Sequence, residues 1–153
     1  MFYALALLAG VVAGSRALTA PAAVSWAARL GRLDLDDSWL AFMGYAWTPW
    51  IFTALALVEL ITDQLPSTPS RKIPMQFGAR IVSGALCGAT LGVSGGSSIA
   101  GLIAGVIGAV IGTYGGAEIR LRMAKGFGRD APAAFIEDAA AIVLGLIVVL
   151  ASR

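Results

Sequence analysis

Apolar residues fill the chain in long blocks, and polar residues are confined to short stretches between those blocks. The clearest block runs from Trp39 to Ile61, and a second runs from Ile99 to Gly116. A helix needs about 20 apolar residues to cross a bilayer. Both blocks therefore predict transmembrane helices, and Arg80 to Val93 predicts a shorter one that ends at the turn residues 95–98.

The final block runs from Ala133 to Ala151 and contains two acids. It spans a bilayer only if Glu137 and Asp138 are taken into its first turns. The residues between 59 and 80 include three prolines, Pro66, Pro69 and Pro74. Proline is disfavoured in a helix interior. This stretch predicts a turn between two membrane helices.

The Trp39–Ile61 block carries its own start signals. Asp36, Asp37 and Ser38 precede it, and acids and a capping serine are favoured at a helix N-terminus. Pro49 lies in the middle of the block and predicts a kink. Trp39 is placed at the headgroup level as an anchor, with Trp47 and Trp50 at mid-depth.

The first block leaves two interpretations open. Phe2 to Ala28 is long enough to span, but it contains Ser15, Arg16, Thr19 and Pro21. It is either one long tilted helix bent near Gly14 or a broken pair of half-helices. Non-helical backbone at membrane depth is tolerated only where protein or a water-filled cavity surrounds it. The first interpretation gives five helices and the second gives six pieces.

Composition makes lipid the expected solvent. The chain has 153 residues, of which 58% are hydrophobic and 13% are charged, and its mean hydropathy is +0.83. Soluble domains carry about a quarter charged residues, and a short chain has little capacity to bury so much apolar surface. We expect an all-α polytopic membrane protein in which residues 1–153 form one domain, with membrane lipid as a partner.

Charge excludes some functions and suggests an orientation. The net charge is only +2, and no basic run is interleaved with aromatics, so nucleic acid is not expected. On the five-helix interpretation most bases fall on one side, namely Arg71, Lys72, Arg120, Arg122, Lys125 and Arg129, whereas Arg29, Arg32 and Arg153 fall on the other. Basic loops mark the cytoplasmic side, which places the N-terminus in the cytoplasm.

The chain lacks residue types that metal sites and many catalytic sites require. The chain has no histidine and one cysteine, Cys87, within an apolar glycine-rich stretch. A single thiol without histidine is neither a metal site nor an activated nucleophile. We therefore expect no enzyme activity, no catalytic residue, no metal and no cofactor.

Glycines recur at helical spacing in the centre of the chain. They are Gly84, Gly88, Gly92, Gly101, Gly105, Gly108 and Gly112. Small residues on successive turns let helix backbones approach closely in lipid. They either pack helices within one chain or form an interface between copies, and a homo-oligomer, with a dimer favoured, is expected.

Charges within the apolar blocks are the candidate functional residues, because each costs roughly 2.5–3.5 kcal/mol at a helix centre. The set is Arg16, Glu59, Asp63, Arg80, Glu118, Arg120, Glu137 and Asp138. Arg71, Lys72 and especially Arg80 are expected to offset Glu59 and Asp63. Glu118 and Arg122 form a favourable i, i+4 pair, Arg120 takes an acid from Glu137 or Asp138, and Arg16 has no local partner.

Three stretches carry a family resemblance: AGSRALTAPAAVSWA (13–27), ELITDQLPSTPSRKIPMQFGARIVSGALCGA (59–89) and GTYGGAEIRLRMAKGFGRDAPAAFIEDAAAI (112–142). They resemble a family of small integral membrane proteins that occurs mainly in bacteria and is classed as a domain of unknown function. The resemblance implies a helical protein of the bacterial inner membrane. Its most specific marks are Glu59, Asp63, Pro66, Arg80, Glu118, Arg120, Glu137 and Asp138.

Two functions remain open at this point. Buried charge, a broken first segment and glycine-rich faces favour transport or permeation of a small charged or polar solute by a homo-oligomer. The alternative is a structural or interaction protein that docks partner helices through its glycine faces. A water-accessible cavity that reaches Arg16 and Glu59 favours the first, and a sealed bundle with paired charges favours the second.

Overall fold

The computed structural model describes residues 1–65, 70 and 72–153. Within these residues the chain is all-helical, with six α-helices and one short 3₁₀ helix at Ala41–Gly44. The α-helices are α1 (Phe2–Ser15), α2 (Thr19–Arg29), α3 (Thr48–Thr62), α4 (Pro74–Ser94), α5 (Ser98–Phe127) and α6 (Asp130–Ala151). Three of them, α4, α5 and α6, are long and apolar enough to cross a membrane, whereas α1 and α3 are shorter apolar helices.

The first segment is broken, and its two halves run in opposite directions. Helix α1 ends where Arg16 adopts an extended conformation. Near the start of α1 the Tyr3 hydroxyl donates to the Gly95 carbonyl at 2.8 Å. Just after α2, Arg32 donates to the Leu150 carbonyl at 3.1 Å, and the Ser94 hydroxyl donates to that of Asp34 at 3.4 Å. Both ends therefore lie together, and α1 and α2 form a helical hairpin whose tip is residues 16–18.

This topology brings both chain termini to one end of the bundle. We call it the aromatic end, because the loop 30–47 with exposed Trp39, Tyr45 and Trp47 lies there. The opposite end, where α5 ends and α6 begins, carries the exposed residues Lys72, Arg122, Lys125 and Arg129 and is called the basic end. The interpretation in which the first segment crosses once, which gave five helices, is wrong for this chain.

Helices α1, α4 and α5 pack closely against one another. Helix α5 lies parallel to α1 and antiparallel to α4, and it contacts both along most of their length. A Cβ atom added at Gly105 would overlap the backbone of Gly84, and one at Gly108 would overlap the backbone of α1 at Leu7. All seven glycines predicted from their spacing are buried in these contacts. They are consequently used within one chain.

Helix α3 differs from the span predicted over Trp39–Ile61. It begins only at Thr48, so Pro49 occupies its first turn, where proline is favoured. The predicted mid-span kink at Pro49 is therefore wrong. Asp36, Asp37 and Ser38 do not cap this helix: Asp37 takes a left-handed conformation with φ 65°, and the Ser38 hydroxyl donates to the Leu35 carbonyl within a local turn.

The loop 30–47 covers the aromatic end of the bundle. Leu33, Leu35, Leu40 and Met43 are buried, and three of them join the hydrophobic core. Trp47 immediately precedes α3 and is 76% exposed, and Trp50 in the first turn of α3 is 60% exposed. The loop thus places apolar side chains inward and aromatic side chains outward.

The turn before α4 is only partly described. Pro66, Pro69 and Arg71, for which we predicted turn and charge-pairing roles, lie outside the described residues. Pro74 is the first residue of α4, so this helix is longer than predicted and contains Arg80 in its second turn. The predicted turn at 95–98 is confirmed: Gly96 has φ 90°, and the Ser97 hydroxyl caps α5 by accepting from Ala100 at 3.2 Å.

The hairpin tip lies near the boundary between the apolar and polar parts of α5. The Thr113 hydroxyl, which also contacts the Ala109 carbonyl of its own helix at 2.8 Å, lies 3.2 Å from the Gly14 carbonyl, and this contact sets the level of the tip. The apolar part of α5 extends from Ser98 to Gly116, about 28 Å at 1.5 Å per residue. The part of α5 beyond Gly116 carries Glu118, Arg120 and Arg122. This charged part of the helix lies at the basic end.

Candidate functional site

Glu59 satisfies the backbone at the start of α2. Breaking a helix leaves N–H groups without partners at the beginning of its second half. The two carboxylate oxygens of Glu59 accept from the backbone nitrogens of Ala17 and Leu18 at 2.7 and 2.8 Å. The carboxylate also lies where the helix dipole favours negative charge. Helix α3 is thereby tied to the hairpin tip.

Arg80 satisfies the carbonyl groups at the end of α1. Its guanidinium donates to the carbonyls of Gly14 and Ser15 at 3.0 and 2.6 Å, and a positive charge is favoured at a helix C-terminus. The Ser83 hydroxyl donates to the Ala17 carbonyl. Arg80 is 3% exposed, so a charge-assisted network from α4 replaces the water that would otherwise solvate the break.

Arg16 anchors the hairpin tip to α6 and to the end of α3. It is fully buried, and its two terminal nitrogens donate to Asp63 and Asp138. The Glu137 carboxylate lies 3.9 Å from the same guanidinium. Arginine suits this position because its planar group presents several donors in a fixed geometry. The expectation that Arg16 lacks a local partner holds, because its partners come from distant segments.

Arg120 extends this network toward the basic end. It donates to Glu137 at 3.3 Å and to Asp130 at 2.9 Å. Gln64 donates to the second oxygen of Asp138 at 2.9 Å. Glu137 thus bridges two arginines, and the cluster runs continuously from the hairpin tip to the start of α6.

A polar cavity of about 580 Å³ lies beneath the tip on the basic side. Its described lining includes Asp63, Arg80 and Arg120 from the cluster, together with Gln64, Gln76, Ser70, Lys72 and Asp130. The cavity is within the size range of small-molecule sites, about 300–1,000 Å³. Arg16 does not line it, since its guanidinium is enclosed by carboxylates.

A second cavity of about 600 Å³, the side cleft, separates α3 from α4. Its walls are mainly apolar and include Phe52, Leu55, Val82 and Leu86, whereas Glu59 lies at its inner face. Asp63 and Gln76 line both cavities, so the two adjoin at the end of α3. Helix α3 packs mainly on α2, which leaves the cleft open along its side.

The structure brings together most of the predicted site residues. Arg16, Glu59, Asp63, Arg80, Glu137 and Asp138 form one group around the hairpin tip, which we call the tip cluster, and Arg120 joins it through Glu137. Glu118 lies apart: it accepts from Arg122 at 2.7 Å on the exposed surface of α5. This is the predicted i, i+4 pair, and it takes no part in the tip cluster.

Lys72 does not pair with Asp63 as expected, because Asp63 pairs with Arg16. Arg80, the base most expected to offset Glu59 and Asp63, lies close enough to Glu59 for the two charges to interact. Lys72 instead lies 5.9 Å from the centre of the Tyr114 ring, a cation–π distance. The difference arises because the break in the first segment places Arg16 at the end of α3, which no local spacing reveals.

Sequence reasoning missed several polar residues of the site. Ser83, Thr113 and Gln64 each make a hydrogen bond that completes the cluster. Serine and threonine within apolar helices carry a weak signal, since they also bond their own helix. Asp130 was identifiable only as an acid in the first turn of α6.

No group of acids and thiols suited to a metal ion occurs among the described residues. The arrangement instead places charged side chains at the two helix ends of the break. The Glu59 carboxylate occupies the start of α2, and the Arg80 guanidinium occupies the end of α1. Each charge has the sign that the helix dipole favours at that end.

The fold and the site define an all-α protein with three helices apolar enough to cross a bilayer and a charged cluster at the tip of a helical hairpin. No family model, no curated protein and no solved structure matches the chain.

Proposed function

We propose that the protein is a polytopic membrane protein that moves a small charged or polar solute through the polar cavity to the hairpin tip. One observation carries this proposal. The backbone groups of the break are satisfied by Glu59 and Arg80, and each of these side chains also lines a cavity. A solute that enters either cavity therefore meets Glu59 or Arg80. A solute group of the same charge would suit the helix end that this side chain occupies.

The pathway is expected to open first toward the basic end. The polar cavity lies on that side of the tip, whereas the loop 30–47 covers the aromatic end with buried Leu33, Leu35 and Met43. Movement onward requires that the Arg16 ion pairs with Asp63 and Asp138 separate. We infer that separation of α3 and α6 from the hairpin tip is the conformational step.

The hairpin changes the predicted orientation of the chain in the membrane. Because the first segment turns back, both termini lie on the side opposite Lys72, Arg122 and Lys125. Basic residues mark the cytoplasmic side, so we propose that both termini face away from the cytoplasm of a bacterial inner membrane. A homo-oligomer stays a prediction, and it would need surfaces other than the seven glycines, which pack within one chain.

A flux assay tests the function. The full chain is reconstituted into liposomes, and uptake is measured for small cations, small anions, zwitterions and polyols. We expect protein-dependent flux for at least one class, and we expect Ala117→Trp, on the wall of the polar cavity, to abolish it. Ile119→Trp is the matched control, since Ile119 is exposed on the same helix. The absence of protein-dependent flux for every class contradicts the proposal.

A second candidate is a structural protein that docks partner helices. It is favoured by the ion pairs of Arg16, whose terminal nitrogens face three carboxylates. On this account the tip cluster only stabilises the fold, and the polar cavity is a surface feature. The flux assay separates the two, because this candidate predicts no flux.

A further inference from the structure

We infer that the side cleft and the polar cavity together bind one membrane lipid with an anionic headgroup, supplied by the leaflet at the basic end. The acyl chain would lie in the side cleft between α3 and α4, and the headgroup would lie in the polar cavity. This inference goes beyond the proposed function, because lipid binding does not require that the protein transports a solute.

The shape of the combined cavity carries the first part of the inference. The side cleft is walled by Phe52, Leu55, Val82 and Leu86 and becomes polar only where it reaches Glu59, Asp63 and Gln76. The polar cavity begins at the last two of these residues. An elongated apolar space that opens at one end into a polar one fits a molecule with an apolar chain and a polar head.

The position of the junction also fits a lipid. The junction lies at the end of α3, at the level of the hairpin tip, where the apolar part of α5 approaches its end at Gly116. In a bilayer crossed by the apolar part of α5, this level is the depth at which a lipid headgroup meets its acyl chains. Val82 on the cleft wall is 68% exposed and Leu55 is 43% exposed, so an acyl chain can enter from the side without unfolding a helix.

Charge complementarity selects an anionic headgroup. The described residues that line the polar cavity include three bases, Lys72, Arg80 and Arg120, and two acids, Asp63 and Asp130. Asp63 pairs with Arg16, and Asp130 pairs with Arg120. Lys72 makes no ion pair with any residue that the structure describes, and its ammonium lies over the Tyr114 ring.

The acids that face the side cleft do not oppose this choice. Both oxygens of Glu59 accept from the backbone of the hairpin tip, and Asp63 makes an ion pair with Arg16. A base close to an anionic lipid contributes roughly 1 kcal/mol of attraction, and Lys72 is the base in the cavity lining that makes no ion pair with a described residue. A lipid phosphate at Lys72 would therefore be favoured over a zwitterionic headgroup.

The test is native mass spectrometry of the full chain after delipidation in detergent. Phosphatidylglycerol and phosphatidylcholine with identical acyl chains are titrated separately. We expect one phosphatidylglycerol to be retained in preference to phosphatidylcholine. Lys72→Gln should reduce this preference about fivefold, whereas Lys125→Gln, an exposed base outside the cavity lining, should leave it unchanged.

Filling the side cleft tests the acyl-chain position. Val82→Trp should remove lipid retention, whereas Ile103→Trp, at a similarly exposed position on α5 outside the cleft, should not. Leu55→Trp fills the cleft from the α3 side. It replaces Val82→Trp in the measurement if that variant does not fold. Equal retention of both lipids, or equal loss in the two lysine variants, would show only general attraction to the surface and would overturn the inference. Retention that both cleft variants leave unchanged would overturn it as well.

Discussion

Glu59 on α3 accepts the backbone N–H of Leu18 at 2.8 Å across a sequence separation of 41 residues. Its second oxygen accepts from Ala17 at 2.7 Å, so one carboxylate completes the start of α2. A side chain of one helix thus replaces the helical hydrogen bonds that the break removes. The same contact fixes α3, which is otherwise largely exposed, against the hairpin.

Replacing this carboxylate should therefore weaken the fold. In Glu59→Gln the amide oxygen can accept from only one of the two N–H groups, and the amide nitrogen faces the other donor. An unsatisfied buried donor costs about 1–3 kcal/mol. We expect a clear fall in the melting temperature of the detergent-solubilised protein. Glu118→Gln, on the exposed face of α5, is the matched control and should leave it unchanged. An unchanged melting temperature in Glu59→Gln would show that the contact does not stabilise the hairpin.

Removing the charge of Arg16 should have a larger effect. Arg16→Met leaves Asp63 and Asp138 without their shared partner in a buried position, and such a loss costs about 3–5 kcal/mol. Arg122→Met removes a base from an exposed pair and should change stability little. Chemical unfolding of both variants measures the difference, and equal stabilities would contradict the anchoring role of Arg16.

The glycine packing predicts opposite effects for two alanine substitutions in the same helix. A Cβ at Gly105 overlaps the backbone of Gly84, whereas one at Gly115 meets nothing within 4 Å. Gly105→Ala should therefore separate α4 from α5 and destabilise the protein by at least about 1–3 kcal/mol. Gly115→Ala should stabilise it slightly, because alanine favours the helix by up to about 1 kcal/mol. Thermal unfolding checks both, and a tolerated Gly105→Ala would contradict the packing.

The native cysteine reports on the same interface without a mutation. Cys87 lies on α4 between Gly84 and Gly88 and is fully buried. We expect it to resist a small maleimide in the folded protein and to react fully after denaturation. Mass spectrometry measures the labelled fraction over time. Rapid labelling of Cys87 in the folded protein would show that α4 is not packed against α1 and α5.

Much of the fold could be predicted from apolar length alone. The blocks ending at Val93, Gly116 and Ala151 correspond to α4, α5 and α6, because a long apolar run leaves a membrane chain few alternatives to a helix. The start of α3 could not be predicted in this way. The residues after Trp39 are equally apolar whether they form a helix or cover the end of a bundle, and hydropathy does not distinguish the two.

The residues of the tip cluster could be identified from the sequence, but the contacts between them could not. An ionisable residue in an apolar block signals that a partner exists, which identified Arg16, Glu59 and Asp138. It does not say which residue the partner is. Arg16 meets Asp63 and Asp138 across 47 and 122 positions of sequence, and only the reversal of direction at the hairpin makes those contacts possible.

The central claim is that a polar cavity reaches the hairpin tip from the basic end and that the aromatic end is closed. The most direct test places single cysteines in a Cys87→Ser background at Gln76 on the cavity wall, at Lys125 at the basic end and at Trp39 at the aromatic end. A membrane-impermeant maleimide is then applied to each side of oriented vesicles. We predict that the cysteine at position 76 is labelled only from the side that labels position 125. Labelling from the side that labels position 39, or no labelling of position 76 in a folded protein, would contradict the account.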